Sequence, residues 1–367
     1  MQKPTLRFTK NQLKSINHKI VIILKKFPFG GAERQAKELL ESLLKTKYRV
    51  DIISIEGKTN YNDNAYNVIS LNQNLTGIKL IPPNIFRNIV LYYKLYKIIS
   101  GEYDVVISYV QLYLIGILNK KCKTIISIRM FYPNSIKIIK RYFLRKFDMV
   151  ISNNLPQYSL LHAMKIKSIL INNVIQGGSY KKFIRKPDEK FKCLVVSNYS
   201  KRKNIDTILK AFKRLNPKHF SLTIIGNMGV GQYLNEFRDQ KNITIVGHLN
   251  LEDIEKYYEN SDCLIHASYR EGASNAILDA MRFQLPVIAS KIPENISLIG
   301  NNSDYLFEPN SHLELTKKIE NVFVNHDKGR VPKDYLKFQQ DKIKFDYNIV
   351  NNDYLVEEIK NCINKTT

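Results

Sequence analysis

Short apolar runs alternate with segments of helical spacing along most of this chain. The run Lys19–Leu24 is almost wholly apolar, which is typical of a strand buried on both faces. Ala32–Thr46 follows, with Leu39 and Leu43 on one side at the spacing of a helix. The same pattern predicts strands at Arg49–Ile55, Asp104–Ser108, Thr124–Ile128 and Met149–Ser152, and helices at Ile85–Ile99, 111–119 and Ile136–Phe147.

The alternation weakens at 176–190, where glycine and proline indicate a linker, and then restarts. It predicts strands at Lys192–Val196, Ser221–Ile225, Ile243–Val246, Cys263–His266 and Val287–Ala289. The intervening helices are predicted at Asn204–Leu215, Gly231–Asp239, Leu251–Asn260 and Ser274–Phe283. Alternating strands and helices form doubly wound parallel sheets.

We therefore predict an α/β protein with two similar domains, 19–175 and 191–344, that face each other across a cleft. A basic extension, 1–18, precedes them. Phe345–Asn364 has helical spacing and is predicted to cross back onto the first domain. Ligands of such sheets bind outside the carboxyl ends of the strands, which here would line the cleft.

Composition narrows the class of protein. The length of 367 residues suits two domains, and 44% apolar with 25% charged residues is typical of a soluble globular protein. Four cysteines are scattered without a Cys-x-x-Cys pair, which argues against a zinc site or a disulfide framework and favours a reducing cytosol. We expect no secretory signal, and the longest apolar stretch, Val105–Leu118, is too short to span a bilayer.

The net charge of +24 is concentrated in the first half of the chain. Residues 1–175 hold 28 basic and 9 acidic residues, a net +19, so this half should attract anions. In Ile136–Phe147 five cations interleave with seven apolar or aromatic residues, and Phe86–Ile99 carries Tyr92, Tyr93 and Tyr96. Both segments fit helices lying on an anionic bilayer, and both equally fit sheet-covering helices with a solvated basic side.

The stretch Tyr269–Met281 carries the most specific chemistry. Glu271 and Asp279 are eight residues apart and bracket a turn of small residues that opens a helix. That spacing is a little over two helical turns, so both acids can point toward one cleft. The amides of the turn form an anion site at a helix N-terminus. Acids that bind hydroxyls beside a phosphate site suit a nucleotide-sugar; the plainer interpretation is a buried helix with an acidic cap.

Three motifs make the chain resemble the retaining, two-domain glycosyltransferases called family 4. Glu271–Ser290 resembles the family's Glu, seven residues, Glu motif with its Gly-x-Pro-Val-Ile-Ala turn. Phe27–Arg34 is similar to its N-terminal glycine loop, and Val196–Asn204 to its phosphate-binding loop. The resemblance covers nearly all of the chain after residue 18. It implies the GT-B fold, with two Rossmann-like domains.

The resemblance also implies transfer of a hexosyl group from a nucleoside-diphosphate sugar, with retention at the anomeric carbon and no bound metal or other cofactor. Lys203 would stabilise the leaving diphosphate, Glu271 would accept bonds from the sugar hydroxyls, and Asp279 from the ribose. The other implied donor-binding residues are Gly30, Gly31, Asn198, Arg202, Gly226, Asn227, His248, Leu249, Gly272, Ala273, Ser274 and Asn275. We interpret His248 and His266 as structural rather than catalytic residues, since either could simply bond a neighbouring backbone group.

The chain departs from the family pattern at three positions. Asp279 replaces a glutamate, and Asn198 replaces the first basic residue of the phosphate loop, a charge that Arg202 could supply. Arg129 stands where many members have a histidine near the anomeric centre. Arginine is no base at neutral pH, so Arg129 is predicted to orient donor or acceptor without transferring a proton.

We favour a UDP-sugar as the donor, and the resemblance implies a lipid-linked or oligosaccharide acceptor, in capsule, lipopolysaccharide or exopolysaccharide assembly. The basic first domain would hold the protein on the inner face of the cell membrane. The alternatives are a two-domain sugar-nucleotide epimerase or hydrolase and a non-catalytic partner subunit. A nucleic-acid-binding protein is disfavoured, because the basic residues are dispersed and no recognition motif accompanies them.

Overall fold

A computed structural model of the chain describes residues 18–26, 31–46, 48–56, 61–62, 66–71, 84–118, 121–130, 138–173, 189–227, 240–327 and 350–364. The chain divides into two compact units. Unit 1 comprises Met1–Val174 and Ile349–Thr367, and unit 2 comprises Ile175–Asn348. Unit 2 is therefore inserted between two parts of unit 1 along the chain.

Unit 1 is built on an eight-stranded sheet. Its strands are β1 (His18–Leu24), β2 (Tyr48–Ser54), β3 (Tyr61–Asn62), β4 (Tyr66–Ser70), β5 (Val105–Ser108), β6 (Lys123–Ile128), β7 (Met149–Ser152) and β8 (Ser168–Leu170). The order across the sheet is β3-β4-β2-β1-β5-β6-β7-β8. All neighbours are parallel except β3 and β4, which are antiparallel. The parallel strands thus share one carboxyl edge.

Successive residues of β1 supply two different cores, as the continuous apolar run predicts. Ile20 and Ile22 pack into one core, and Val21 and Ile23 into the other. The helices of unit 1 are α1 (Gly31–Leu44), α2 (Asn84–Ile99), α3 (Ile115–Leu118), α4 (Ile138–Leu144), α5 (Leu155–Ala163) and α11 (Val350–Asn364). We call the face packed by α1 and α11 the first face and that packed by α2 and α4 the second face.

Unit 2 repeats this plan with a six-stranded parallel sheet. Its strands are β9 (Phe191–Val196), β10 (Phe220–Ile225), β11 (Ile243–Gly247), β12 (Cys263–His266), β13 (Val287–Ser290) and β14 (Leu306–Phe307), in the order β11-β10-β9-β12-β13-β14. Its helices are α6 (Ile205–Phe212), α7 (Leu251–Glu259), α8 (Asn275–Arg282), α9 (Pro293–Ile299) and α10 (His312–Asp327). The two faces of the sheet are covered by separate apolar cores.

The predicted class, α/β with two parallel-sheet domains, is confirmed. The helix predicted at Phe345–Asn364 is observed as α11, whose Leu355 and Ile359 lie in the core of the first face. The helix predicted at Gly231–Asp239, the extension 1–18 except His18 and most of the linker 176–190 lie outside the described residues. The prediction missed α10, although Leu315, Ile319 and Val322 recur at helical spacing and are buried.

Candidate functional site

Three of the loops predicted to contact a nucleotide are bonded together at the carboxyl edge of the unit 2 sheet. The N–H of Asn227, after β10, donates to Oδ1 of Asn198, after β9, at 2.7 Å. The N–H of Tyr199 donates to the carbonyl of Asn227 at 2.8 Å. The N–H of Gly226 donates to the carbonyl of Gly247, at the end of β11, at 2.7 Å. Exposed His248 and half-buried Leu249 follow on the same edge.

Gly226 is required for this close approach. Its φ is +141°, and a Cβ built there would lie 2.2 Å from the carbonyl oxygen of Ser197. Gly226→Ala should therefore destabilise the protein by roughly 2–6 kcal/mol, from overpacking and backbone strain together. Chemical unfolding of the purified variant measures this.

Gly247→Ala is the matched control for Gly226→Ala. Gly247 also has a positive φ, +85°, but no described atom lies within 4 Å of the place that its Cβ would take. The control should show backbone strain alone, roughly 1–3 kcal/mol. Equal losses in the two variants would contradict the proposed steric role of Gly226.

The turn after β9 brings two cations onto the loop after β12. Lys201–Lys203 form one 3₁₀ turn, which ends at Asn204 with φ +53°. Asn204 Nδ2 donates to the carbonyls of Ala267 at 3.2 Å and Pro309 at 2.7 Å, which fixes the turn to two neighbouring segments. The N–H of Tyr269 donates to the carbonyl of Arg202 at 2.9 Å. The side chains of Arg202 and Lys203 are thereby directed to the segment that begins at Glu271.

Glu271 is the centre of the cluster. Lys203 Nζ donates to its Oε1 at 2.6 Å, and Arg202 NH1 lies 3.0 Å from its Oε2. The residue is only 7% exposed. Burial raises the pKa of Glu271, but the hydrogen bond from His266 and the charges of Lys203 and Arg202 outweigh it and hold that pKa well below its usual range. Glu271 is therefore ionised at neutral pH and ties both cations in place.

His266, the last residue of β12, completes the cluster. Its Nε2 lies 3.2 Å from Oε1 of Glu271, and its ring is buried. Burial lowers the pKa of His266, against the opposing effect of Glu271. The ring is therefore neutral at pH 7. Because an ionised carboxylate can only accept, Nε2 must carry the proton, so His266 orients Glu271 as a donor.

We expect His266 to make the fold sensitive to acid. Its folded pKa lies below the unfolded value near 6.5, so below about pH 6.5 the unfolded chain binds a proton that the folded chain does not. Stability is thus greatest above that pH and falls as the pH drops toward the folded pKa. Thermal melts at about pH 7.5 and about pH 5.5 should show a smaller difference for His266→Asn than for the parent. His219→Asn, at an exposed position, is the control and should melt like the parent at both.

Glu294 holds the backbone of the same loop. Its Oε1 accepts the N–H of Glu271 at 2.9 Å, and the side chain is buried at the start of α9. Burial raises the pKa of Glu294. Reasoning from the sequence missed both Glu294 and the orienting role of His266. Their positions in the chain could have indicated both residues, because each lies at or just after the carboxyl end of a strand adjacent to the loop, where ligands of such sheets bind.

The helix that follows Glu271 begins later than its spacing from Asp279 assumed. α8 runs from Asn275 to Arg282, and the hydroxyl of its N-cap, Ser274, accepts the N–H of Ile277 at 3.5 Å. Glu271 therefore lies in the loop before the helix, so the predicted separation of Glu271 and Asp279 by two helical turns is wrong. Asp279 is buried within α8. The roles of Gly272, Ala273, Ser274, Asn275 and Asp279 in donor binding stay predictions.

The site residues predicted in unit 1 are two glycines of the N-terminal glycine loop and Arg129. Gly30 and most of the glycine loop lie outside the described residues, and Gly31 is the first residue of α1. Arg129 follows β6 at the carboxyl edge of the sheet, where its NH1 donates to Oδ1 of Asn173 at 2.6 Å. Its guanidinium carbon lies 4.7 Å from the centre of the Tyr109 ring. Burial lowers the pKa of Arg129, which stays a cation at neutral pH.

Neither a metal-binding cluster nor a helix able to span a membrane is present among the described residues. No group of three or more His, Cys, Asp and Glu side chains that could hold a metal ion occurs among the residues that the structure describes. Within the same residues, no helix combines the length and apolarity needed to cross a bilayer.

Comparison with known proteins shows that part of the chain is similar to glycosyltransferases. Residues 178–337, fewer than half of the chain, match the family model of the glycosyl transferases group 1. CapM of Staphylococcus aureus, a capsular polysaccharide biosynthesis glycosyltransferase, is 22% identical over 189 residues, which make up 47% of this chain and 48% of CapM. This chain thus spans about half the length of that curated relative.

Solved structures match over nearly the whole chain. HepE of Anabaena, crystallised with UDP and glucose, has a TM-score of 0.73 at 16% identity and covers 94% of this chain and 100% of its own. Sucrose-phosphate synthase of Thermosynechococcus elongatus has a TM-score of 0.73 at 15% identity and covers 96% of this chain and 100% of its own. At these identities the likeness shows the fold alone, which is the GT-B fold predicted above.

Proposed function

We propose that this chain is a retaining glycosyltransferase that moves a hexosyl group from a nucleoside-diphosphate sugar to an acceptor hydroxyl. The observation that carries the proposal is the buried Glu271 carboxylate, which holds Lys203 and Arg202 at 2.6 Å and 3.0 Å at the carboxyl edge of the unit 2 sheet. This cluster lies within the segment that matches the glycosyl transferases group 1.

The chemistry follows from charge development. When the bond between the anomeric carbon and the phosphate oxygen breaks, the leaving diphosphate gains negative charge. Lys203 and Arg202 stabilise that charge, and because Glu271 fixes them beforehand, little reorganisation is needed during the reaction. The acceptor hydroxyl attacks the anomeric carbon from the face that the phosphate leaves, and its proton passes to the departing phosphate oxygen. Arg129 takes no part in that transfer, because it stays protonated.

A UDP-sugar is the donor that we propose, since the HepE structure with a similar fold contains UDP and glucose. A panel of nucleotide-sugars tests this by thermal stabilisation of the purified chain, because a ligand that binds the folded state raises its melting temperature. The stabilising donor is then incubated with candidate acceptors, and the product linkage is assigned by NMR. Retention predicts that the anomeric configuration of the donor is kept in the product.

Different outcomes of that assay separate the rival functions. Isomerisation or hydrolysis of the donor that no acceptor accelerates would favour an epimerase or hydrolase. Binding of the donor without any turnover would favour a non-catalytic partner subunit. Absence of stabilisation by every nucleotide-sugar would overturn the proposed function. For the acceptor we propose a lipid-linked or oligosaccharide substrate of bacterial surface polysaccharide synthesis, on the ground of the similarity to CapM.

We further propose that unit 1 lies on an anionic membrane surface. On α4, Ile138, Ile139 and Tyr142 are 88%, 64% and 56% exposed beside Lys140 and Arg141. On α2, Ile89, Tyr93 and Tyr96 are also exposed, and both helices pack on the second face. Apolar and aromatic side chains among cations are typical of helices that lie in a bilayer interface. We propose that this surface holds the protein on the cytoplasmic side of the cell membrane.

Binding to liposomes should therefore depend on both charge and apolar contact. We expect sedimentation with vesicles containing phosphatidylglycerol, weaker sedimentation in high salt, and little with purely zwitterionic vesicles. Ile139→Ser combined with Tyr142→Ser should weaken binding, whereas Val324→Ser, at an exposed apolar position of unit 2, should not. Salt-independent binding, or equal binding to both vesicle types, would contradict the proposed surface.

A further inference from the structure

A row of polar side chains crosses the carboxyl edge of the unit 1 sheet on its first face. Tyr109 follows β5, Ser127 is the penultimate residue of β6 and Arg129 follows that strand, Asn153 follows β7, and Asn173 follows β8. Four apolar residues that precede them along the chain pack into the core of the first face: Ile107, Ile125, Ile151 and Ile171. Because side chains alternate between the two faces of a strand, and each polar residue lies two or four positions after one of these, all five belong to the first face. We call the five polar residues the Arg129 row.

Four of the five members of the Arg129 row are linked by direct contacts. Arg129 NH1 and Asn153 Nδ2 both donate to Oδ1 of Asn173, at 2.6 Å and 3.3 Å. The guanidinium of Arg129 lies over the ring of Tyr109. Asn153, Asn173 and Ser127 are each at most 3% exposed, so the row is built into the sheet edge and does not consist of loose surface groups.

The charge of Arg129 and two buried polar atoms of this row are not balanced by the described protein groups. No described carboxylate forms an ion pair with Arg129, whose partners there are the amide oxygen of Asn173 and the side chain of Tyr109. Nε of Arg129 and Oγ of Ser127 are buried atoms without a hydrogen-bond partner among the described residues. A half-buried cation without a counter-ion and buried polar atoms without hydrogen-bond partners cost free energy, and a ligand that supplies both would remove that cost.

We propose that the Arg129 row binds the anionic group of an acidic sugar or sugar phosphate. The proposal rests on the proposed function, in which this ligand is the acceptor. The planar guanidinium suits a carboxylate or a phosphate, since two of its N–H groups can donate in parallel to two oxygens. The amides of Asn153 and Asn173 and the hydroxyl of Ser127 suit the sugar hydroxyls. A neutral acceptor leaves the cation unbalanced, so the row selects for acidic acceptors.

Isothermal titration of the full chain tests this with four probes: glucuronate, glucose 1-phosphate, glucose and UDP. We expect both acidic sugars to bind at least about tenfold more tightly than glucose, as loss of a charge-assisted hydrogen bond implies. Arg129→Gln should remove that preference. Arg145→Gln is the matched control, because Arg145 lies in the same unit and its NH2 donates to the carbonyl of Met164, away from the row; it should bind like the parent.

The melting temperature of the free protein distinguishes a ligand-binding role of Arg129 from a purely structural one. Because Arg129 has no carboxylate partner among the described residues, Arg129→Gln should leave the melting temperature of the free protein unchanged or raise it, while binding of acidic sugars is lost. If Arg129→Gln does not fold, Arg129→Lys replaces it. The lysine variant keeps the charge without the planar fork, so it should prefer acidic sugars over glucose more weakly than the parent does.

Three results would overturn the inference. They are equal affinity for glucose and glucuronate in the parent, unchanged binding of acidic sugars by Arg129→Gln, and a loss of UDP affinity in Arg129→Gln of about tenfold or more, which would assign Arg129 to the nucleotide. Failure of the proposed function is recognised separately. It appears as the absence of stabilisation by any nucleotide-sugar, whatever the acidic sugars do.

Discussion

Replacing Lys203 by methionine is expected to lower turnover roughly 100- to 1,000-fold, the loss typical of removing one preorganised charge donor. The carboxylate of Glu271 holds Lys203 Nζ at 2.6 Å, and His266 in turn holds that carboxylate. Methionine has nearly the same length and fills the space without the charge. Steady-state kinetics with the stabilising donor measure the effect, which should fall mainly on kcat because the charge matters most as the phosphate leaves.

Two comparisons make the Lys203 experiment specific. Lys203→Arg keeps a cation and should retain more activity than Lys203→Met. Lys256→Met removes a lysine whose partner is the exposed Asp253, elsewhere in unit 2, and should have wild-type kinetics. A Lys203→Met enzyme within about threefold of the parent would show that the proposed stabilisation of the diphosphate is wrong.

The second large effect is expected for Glu271→Gln, which should lower kcat about 10- to 150-fold, because the sugar hydroxyls lose a charged acceptor and the two cations lose the carboxylate that fixes them. Glutamine keeps the shape but removes the charge that balances Lys203 and Arg202. The two cations are then available to the diphosphate, so UDP affinity should be kept or increased. A fall in kcat with undiminished UDP binding is the signature; a parallel loss of UDP affinity would contradict this assignment.

Glu271→Gln should also change how stability depends on pH. The folded pKa of Glu271 is depressed, so its ion pairs stabilise the parent above the unfolded pKa near 4.5, and this contribution is lost as pH falls toward the folded pKa. The variant has no such group and should lose less stability over that interval. Glu255→Gln removes the partner of Arg282, between α7 and α8, and is the matched control for losing one ion pair in the same unit.

Most strands could be predicted because a short, continuous apolar run is compatible with few structures other than a buried strand. Buried parallel strands such as β1 and β12 need unbroken apolar residues, and these stand out in the chain. Weakly patterned elements were missed. β14 has two residues, and α5 has buried Leu161 but an exposed Leu155 at its start, so neither shows a clear periodicity.

For the site, residue types were predictable but contacts were not. The motifs singled out Lys203 and Glu271 as separate ligands of the donor. That they pair with each other across 68 positions of sequence depends on the αL turn at Asn204 and its bonds to Ala267 and Pro309. The amides of Asn153 and Asn173 carry no motif at all. They lie near Arg129 only because β6, β7 and β8 are neighbours in the sheet.

The position of α11 has a consequence for synthesis of the protein on the ribosome. Leu355, Val356, Ile359 and Ile363 form part of the core of the first face, together with residues of β1 and α1. All of unit 2 is translated between these two contributions, so unit 2 can fold first although it begins later along the chain. Until residues 350–364 emerge, the apolar side of α1 that they cover is exposed, and nascent unit 1 is a candidate for chaperone binding over the whole time that unit 2 is being made.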